Sequence, residues 1–180
     1  QDIGADIACP TGWMASRLQT LGYLQTFDNN NMPNKVANLA SSYLGSADDP
    51  DRIYSIPWQA GFAGIGYNKA LYKEVTGKDA PGSVADLWAA DLKGRVGLLS
   101  EMRDSVGIVL MSQGIDITSS SSLTEDAFMV AIEEIKAQID GGQIFNVRGN
   151  SYLDDLATGN IIASTAWSGD ITVLNYESGT

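Results

Sequence analysis

The chain has 180 residues, 44% of them hydrophobic and 18% charged, a composition able to bury a core in one domain or two small lobes. A net charge of −11 opposes nucleic acid as a partner and suits a cationic ligand, although acidity also serves solubility. With no His and a single Cys, most zinc sites, Ser-His-Asp and Cys-His nucleophile systems, disulfide frameworks and CxxC sites are excluded, and no metal or cofactor is expected.

Taken in chain order, the first predicted elements are a strand at about 5–9 and a helix at about 11–21. Cys9 falls in that strand and is expected to be buried packing. Thr11 can cap the helix, Met14, Leu18 and Leu21 supply an apolar face, and Gly22 stops it. Asp28-Asn29-Asn30-Asn31-Met32-Pro33 resembles a calcium loop only briefly. Met32 and Pro33 stand where an oxygen ligand and a Gly are needed, so it is rejected. Ser46-Ala47-Asp48-Asp49-Pro50-Asp51 is predicted as a solvated surface turn.

Gly61-Phe62-Ala63-Gly64-Ile65-Gly66-Tyr67 reads as a strand with close backbone approaches. Lys69 occupies the place of a third Gly, so the dinucleotide-binding motif is absent. Ser83 is a helix cap before Val84 to Trp88, Arg95 to Leu99 is a short apolar strand, and Asp104 to Ser112 is helical. Thr124 to Ile139 is the clearest helix, with Phe128, Ile132, Ile135 and Ile139 in one stripe. Glu125 and Asp126 lie in its first turn, and Gly141-Gly142 ends it. Ile144 to Val147 is a strand, Tyr152 to Ala157 a helix, and Ile161 to Trp167 a further strand rich in β-branched residues. Thr118 to Ser122 is a polar loop. No run approaches the ~20 apolar residues of a membrane helix, and the first residues lack the charged and apolar regions of a signal peptide. The alternation of strands and helices predicts an α/β fold built mainly of parallel strands.

Candidate chemistry gathers where strands run into helices. Cys9-Pro10 leads to Thr11, Gly12 and Trp13; Leu98-Leu99-Ser100 leads to Glu101, Met102, Arg103 and Asp104; Ala166 leads to Trp167, Ser168, Gly169 and Asp170. In a parallel sheet all three open on one edge, where ligands bind. A Trp face beside a carboxylate suits an organic cation, because the ring quadrupole attracts it and the charge pairs with it. The same Trp can equally be packed. Glu101 and Asp104, three apart, share a face of a helical turn. They either hold a cation together or stabilise the helix N-terminus while Arg103 neutralises one of them.

Several segments carry a resemblance. The run from Ile53 to Asn68, "IYSIPWQAGFAGIGYN", resembles the crossing segment of the bacterial polyamine-binding proteins, the spermidine/putrescine receptors of ABC transporters. Ser83-Val84-Ala85-Asp86-Leu87-Trp88 with Leu92-Lys93-Gly94-Arg95-Val96 is similar to their "SWADLW…LKGKV" stretch. Leu98-Leu99-Ser100-Glu101-Met102-Arg103-Asp104 resembles "LLDDARE", and Tyr152 to Asn160 followed by Trp167-Ser168-Gly169-Asp170 resembles "YxxDLAxGD…WxGD". These motifs stand in the family's order over most of the chain.

The resemblance implies a type II periplasmic-binding-protein fold, with two α/β lobes joined by crossing strands and closing by a hinge. Residues 1–65 would be a partial first lobe and crossing strand, 66–165 a nearly complete second lobe, and 166–180 the return crossing into the first. The chain would then be a middle fragment of a longer receptor.

By position, the resemblance implies that Glu101 and Asp104 hold the amine groups, Trp167 covers the polyamine chain and Asp170 takes an ammonium. Thr11 and Trp13 stand where the family has a Ser and a Tyr near the ligand, and Trp58 replaces an aromatic at the hinge. The implied function is capture of putrescine or spermidine outside the cytoplasm, in the periplasm or on a cell-surface lipoprotein, and delivery to an ABC-transporter permease. A lipid anchor would lie on an N-terminal segment preceding Gln1. The alternatives are a carboxylate-dependent hydrolase using Glu101 and Asp104 as an acid/base pair, or a receptor of the same fold for another solute. Three-residue spacing suits shared cation binding better than flanking a scissile bond, and the lack of His or a Tyr cluster disfavours ferric iron.

Overall fold

The structure, a computed structural model, describes residues 4–178 and divides into two units between Ala60 and Gly61. In the first, α1 (Gly12–Thr20) begins at Thr11, whose backbone is extended and whose carbonyl accepts from Met14 and Ala15; its side chain makes no capping bond. A 3-10 turn at Asn29–Asn31 is capped by the Asp28 carboxylate, which accepts from the Asn30 amide. The short α2 (Lys35–Asn38) and a 3-10 turn at Ser41–Tyr43 follow.

Two expectations for this unit are corrected. Residues 4–10 form no strand, Cys9 is exposed and Ile7 is 85% exposed. An alternating apolar segment becomes a strand only where a neighbour takes its amides and carbonyls, and the described residues of this unit contain no strand. Within the predicted solvated turn, Asp49 is only 4% exposed. Its carboxylate accepts from the amides of Ile53, Tyr54 and Ser55 and from the Ser55 hydroxyl, at 2.9 to 3.2 Å. Burial acts to raise its pKa, but these hydrogen bonds outweigh it and hold the group below its usual range. The carboxylate thus organises the loop that a polarity argument assigned to solvent.

The second unit is built on one four-stranded sheet. Its strands are β1 (Ala63–Tyr67), β2 (Val96–Leu99), β3 (Ile144–Arg148) and β4 (Ala163–Trp167), in the order β1-β4-β2-β3. β2 runs parallel to both β3 and β4, but β1 pairs antiparallel with β4, Ala63 opposite Trp167 and Tyr67 opposite Ala163. The sheet is therefore mixed: β2, β3 and β4 run parallel, as expected, and β1 alone runs against them. Sequence periodicity reports which residues are buried and carries no information on strand direction, so β1 looks the same either way.

Helices cover both faces. α3 (Lys69–Thr76) starts at Asn68, whose side chain accepts from the Leu71 amide. Tyr72 of α3, with Leu87 and Leu92 from two 3-10 turns, packs on Val96, Ile162 and Ala163. On the opposite face α6 (Tyr152–Thr158) and α7 (Ser168–Ser178) place Tyr152, Leu156, Ile171 and Leu174 against Leu99, Ile161 and Ala166. α4 (Met102–Ser112) buries Val106, Val109 and Leu110 against Ala131 of α5 (Glu125–Asp140). Thr124, expected as the first helical residue, instead caps α5, its hydroxyl accepting from the Ala127 amide.

Gly97 allows the close approach of β2 to β4: a Cβ there would stand 2.8 Å from Ile161 Cδ1 and Ser164 Oγ, well inside van der Waals contact. After β4, α7 lies within the second unit, where Ile171 and Leu174 pack against Tyr152 and Leu156 of α6. None of the described helices is long and apolar enough to cross a membrane.

Candidate functional site

β2 and β4 are parallel neighbours, so their carboxyl ends open on the same edge of the sheet. Buried hydroxyls lock those ends together. The Leu99 amide donates to Thr165 Oγ1 at 2.8 Å, and the Ser105 hydroxyl donates to the Leu99 carbonyl at 2.7 Å. Two residues past β2, Glu101 caps α4 by accepting from the Arg103 amide at 3.2 Å. Asp104 follows in the first turn of α4, where the helix dipole favours a negative charge.

Trp167 ends β4 half-buried, and its indole Nε1–H donates to Asp104 Oδ2 at 2.6 Å. The backbone amide of Trp167 donates to the Tyr152 hydroxyl at 3.1 Å, and that hydroxyl donates to Asp170 Oδ2 at 3.2 Å. The Tyr152 and Trp167 rings meet edge to face, 6.2 Å apart at 76°. A chain of contacts thus runs Asp104–Trp167–Tyr152–Asp170. Burial, followed by the nearby Asp170 charge, pushes the Tyr152 phenol up to about 12, so it stays a neutral donor throughout the physiological range.

The charge balance of this cluster is one-sided. Among the described residues no Lys or Arg forms an ion pair with Asp104 or Asp170; their side-chain partners are an indole and a phenol. Each carboxylate has one oxygen engaged by a neutral donor, which leaves acceptor capacity for an ammonium. Glu101 differs, standing 3.9 Å from the Arg103 guanidinium at a largely solvated position, where an ion pair contributes little. Of the residues singled out from sequence, Asp104, Trp167 and Asp170 therefore form one linked cluster, with Glu101 at the cap of the same helix.

Thr11, Trp13 and Trp58 belong to the first unit. There Thr11 is the exposed cap of α1, Trp13 is half-buried on that helix, and Trp58 is 81% exposed. Sequence reasoning gave no role to Tyr152. Its signal was available only in part: a Tyr opening a short helix announces neither its burial nor a bond to a residue eighteen positions away.

The family described as bacterial extracellular solute-binding protein matches residues 2–179. The spermidine/putrescine-binding periplasmic protein 1 of Haemophilus influenzae is 26% identical over 97% of this chain, and the putrescine-binding periplasmic protein PotF of Escherichia coli is 27% identical over 93% of it. The chain spans 46% of the length of each of these relatives. The spermidine/putrescine ABC transporter substrate-binding protein PotD of Streptococcus pneumoniae superposes with a TM-score of 0.73 at 20% identity. That superposition covers 91% of this chain and 47% of PotD. The α/β fold is thus part of the type II fold of periplasmic substrate-binding proteins. Together the match along nearly the whole chain and the shared fold establish that the chain belongs to the family of bacterial extracellular solute-binding proteins.

Proposed function

We propose that this protein captures linear polyamines, putrescine or spermidine, outside the cytoplasm and hands them to the permease of an ABC transporter. The observation that carries this reading is the pair of carboxylates, Asp104 and Asp170, linked through Trp167 and Tyr152 and, among the described residues, in no ion pair with a Lys or Arg. In this reading the two acids take ammonium groups, the Trp167 ring covers methylenes, and Glu101 adds negative potential at the rim. By the same reading residues 66–165 are the second lobe of the receptor, residues 1–65 part of the first lobe with a crossing strand, and residues 166–180 the return crossing. The names of its relatives, which bind spermidine and putrescine in the periplasm, support both the ligand class and the compartment. The chemistry is binding without turnover.

A charge-assisted hydrogen bond contributes about 1.5–3 kcal/mol, so loss of one acid lowers affinity roughly ten- to a hundredfold. Titration calorimetry with putrescine on the wild type and Asp170→Asn tests this. The expected result is weaker binding by the variant with an unchanged melting curve, and an unaltered affinity removes Asp170 from the site.

A further inference from the structure

We infer that Tyr152 is the positioning residue of this site: through its hydroxyl it holds the Asp170 carboxylate in fixed relation to the Trp167 ring, so that an ammonium on the acid and the methylenes on the ring are served together. The inference rests on the reading of Asp170 as an ammonium partner.

The argument begins with the sheet. Amides of a strand in an antiparallel pair point alternately toward and away from the partner. Ser168 donates its amide to the Phe62 carbonyl on the β1 side, so the Trp167 amide faces the β2 side. There the ladder between β2 and β4 covers only Val96 and Gly97 opposite Ala163 and Ser164. The Trp167 amide is consequently beyond the reach of backbone pairing, and the Tyr152 hydroxyl takes its place as acceptor at 3.1 Å. A phenol has one proton to donate, and this one goes to Asp170 Oδ2 at 3.2 Å. Both bonds are made by a side chain that is 0% exposed and packed with Leu99, Leu156, Ile161 and Ala166, so the hydroxyl cannot drift. Its ring also meets the Trp167 ring edge to face.

One buried oxygen thereby fixes the backbone that carries the ring and the carboxylate one helical turn beyond it. A Phe at this position would fill the same space and release both.

Calorimetry with putrescine on four purified proteins tests the inference: wild type, Tyr152→Phe, Asp170→Ala and the double variant. The expected result is a five- to tenfold loss for Y152F alone and a distinctly smaller loss for Y152F in the D170A background, because only the Trp167 backbone is then left to position. Equal losses in both backgrounds, or no loss in the first, overturn it. If the wild type binds neither putrescine nor spermidine, the functional reading fails. The positional claim is then decided on the ligand-free proteins, where the melting-temperature losses of Y152F and D170A should sum to more than the loss of the double variant; additive losses overturn it. Should Y152F not fold, proton NMR of the remaining two proteins decides. A slowly exchanging Tyr152 hydroxyl proton that is lost in D170A supports the inference, and fast exchange in the wild type overturns it.

Discussion

Trp167 uses its two N–H groups on two different partners, the indole on Asp104 and the backbone on Tyr152. The indole bond at 2.6 Å is charge-assisted and directional, so it orients the ring and holds one oxygen of the acid while the negative charge stays available. This division of labour ranks substitutions. Asp104→Asn keeps an acceptor for the indole but removes the charge, which costs a cationic ligand roughly ten- to a hundredfold in affinity. Trp167→Phe keeps a ring face and removes the indole donor. A cation over Phe is held less strongly than over Trp, and the whole contact contributes about 0.5–2 kcal/mol, so a loss of about threefold is expected. Putrescine titrations of the two variants check the order, and a larger loss for W167F than for D104N would show that the ring outranks the charge.

At the scale of elements, the 3-10 turn at Val84–Trp88 buries Leu87 in the core and is anchored by a charge as well. The Asp86 carboxylate accepts from the Gly82 and Ser83 amides at 2.8 and 3.0 Å, and from Lys78 Nζ at 2.7 Å. The Lys78 hydrogen bond, followed by the Gly82 amide, lowers the Asp86 pKa to about 2. A carboxylate whose folded pKa lies below its unfolded value near 4 adds stability that is fully present above about pH 4. That contribution is lost as pH falls toward 2. Because Lys78 is largely exposed, screening limits the gain to about 1 kcal/mol. Melting temperatures measured from pH 7 to pH 2 should therefore converge for wild type and Asp86→Asn at the acid end, with the wild type higher at neutral pH; parallel curves would rule the linkage out. Elements of this kind were legible in sequence where capping and periodicity are local, as with Ser83 and the stripe of Phe128, Ile132 and Ile135. The reversed direction of β1 was not legible, nor was the burial of Asp49, since both depend on what lies across the fold. In the site, the candidates Asp104, Trp167 and Asp170 were legible as residues at strand ends. The bond joining Asp104 to Trp167 spans 63 positions, and the one joining Tyr152 to Asp170 depends on how α6 packs beside α7; no local pattern encodes either.

For the whole molecule, the distribution of buried apolar surface separates the two units more sharply than composition does. Every fully buried hydrophobic side chain among the described residues, from Tyr72 to Ala166, lies in the second unit. The first buries one carboxylate, Asp49, and leaves Ile7, Tyr23, Trp58 and others largely exposed. Burial of apolar area is the main force holding a fold together, so the sheet and its helices should behave as one cooperative block. Residues 4–60 are held chiefly by hydrogen bonds rather than by a buried apolar core, and such bonds open at low cost. Hydrogen–deuterium exchange of the native chain should therefore be slowest at the amides of β2 and β4, with those of α1 and the loop around Asp49 exchanging at least a hundredfold faster. A fragment of residues 61–180 should melt in a single transition close to the main transition of the whole chain. Comparable protection in the two units would mean that residues 1–60 draw on a source of stability other than buried apolar surface.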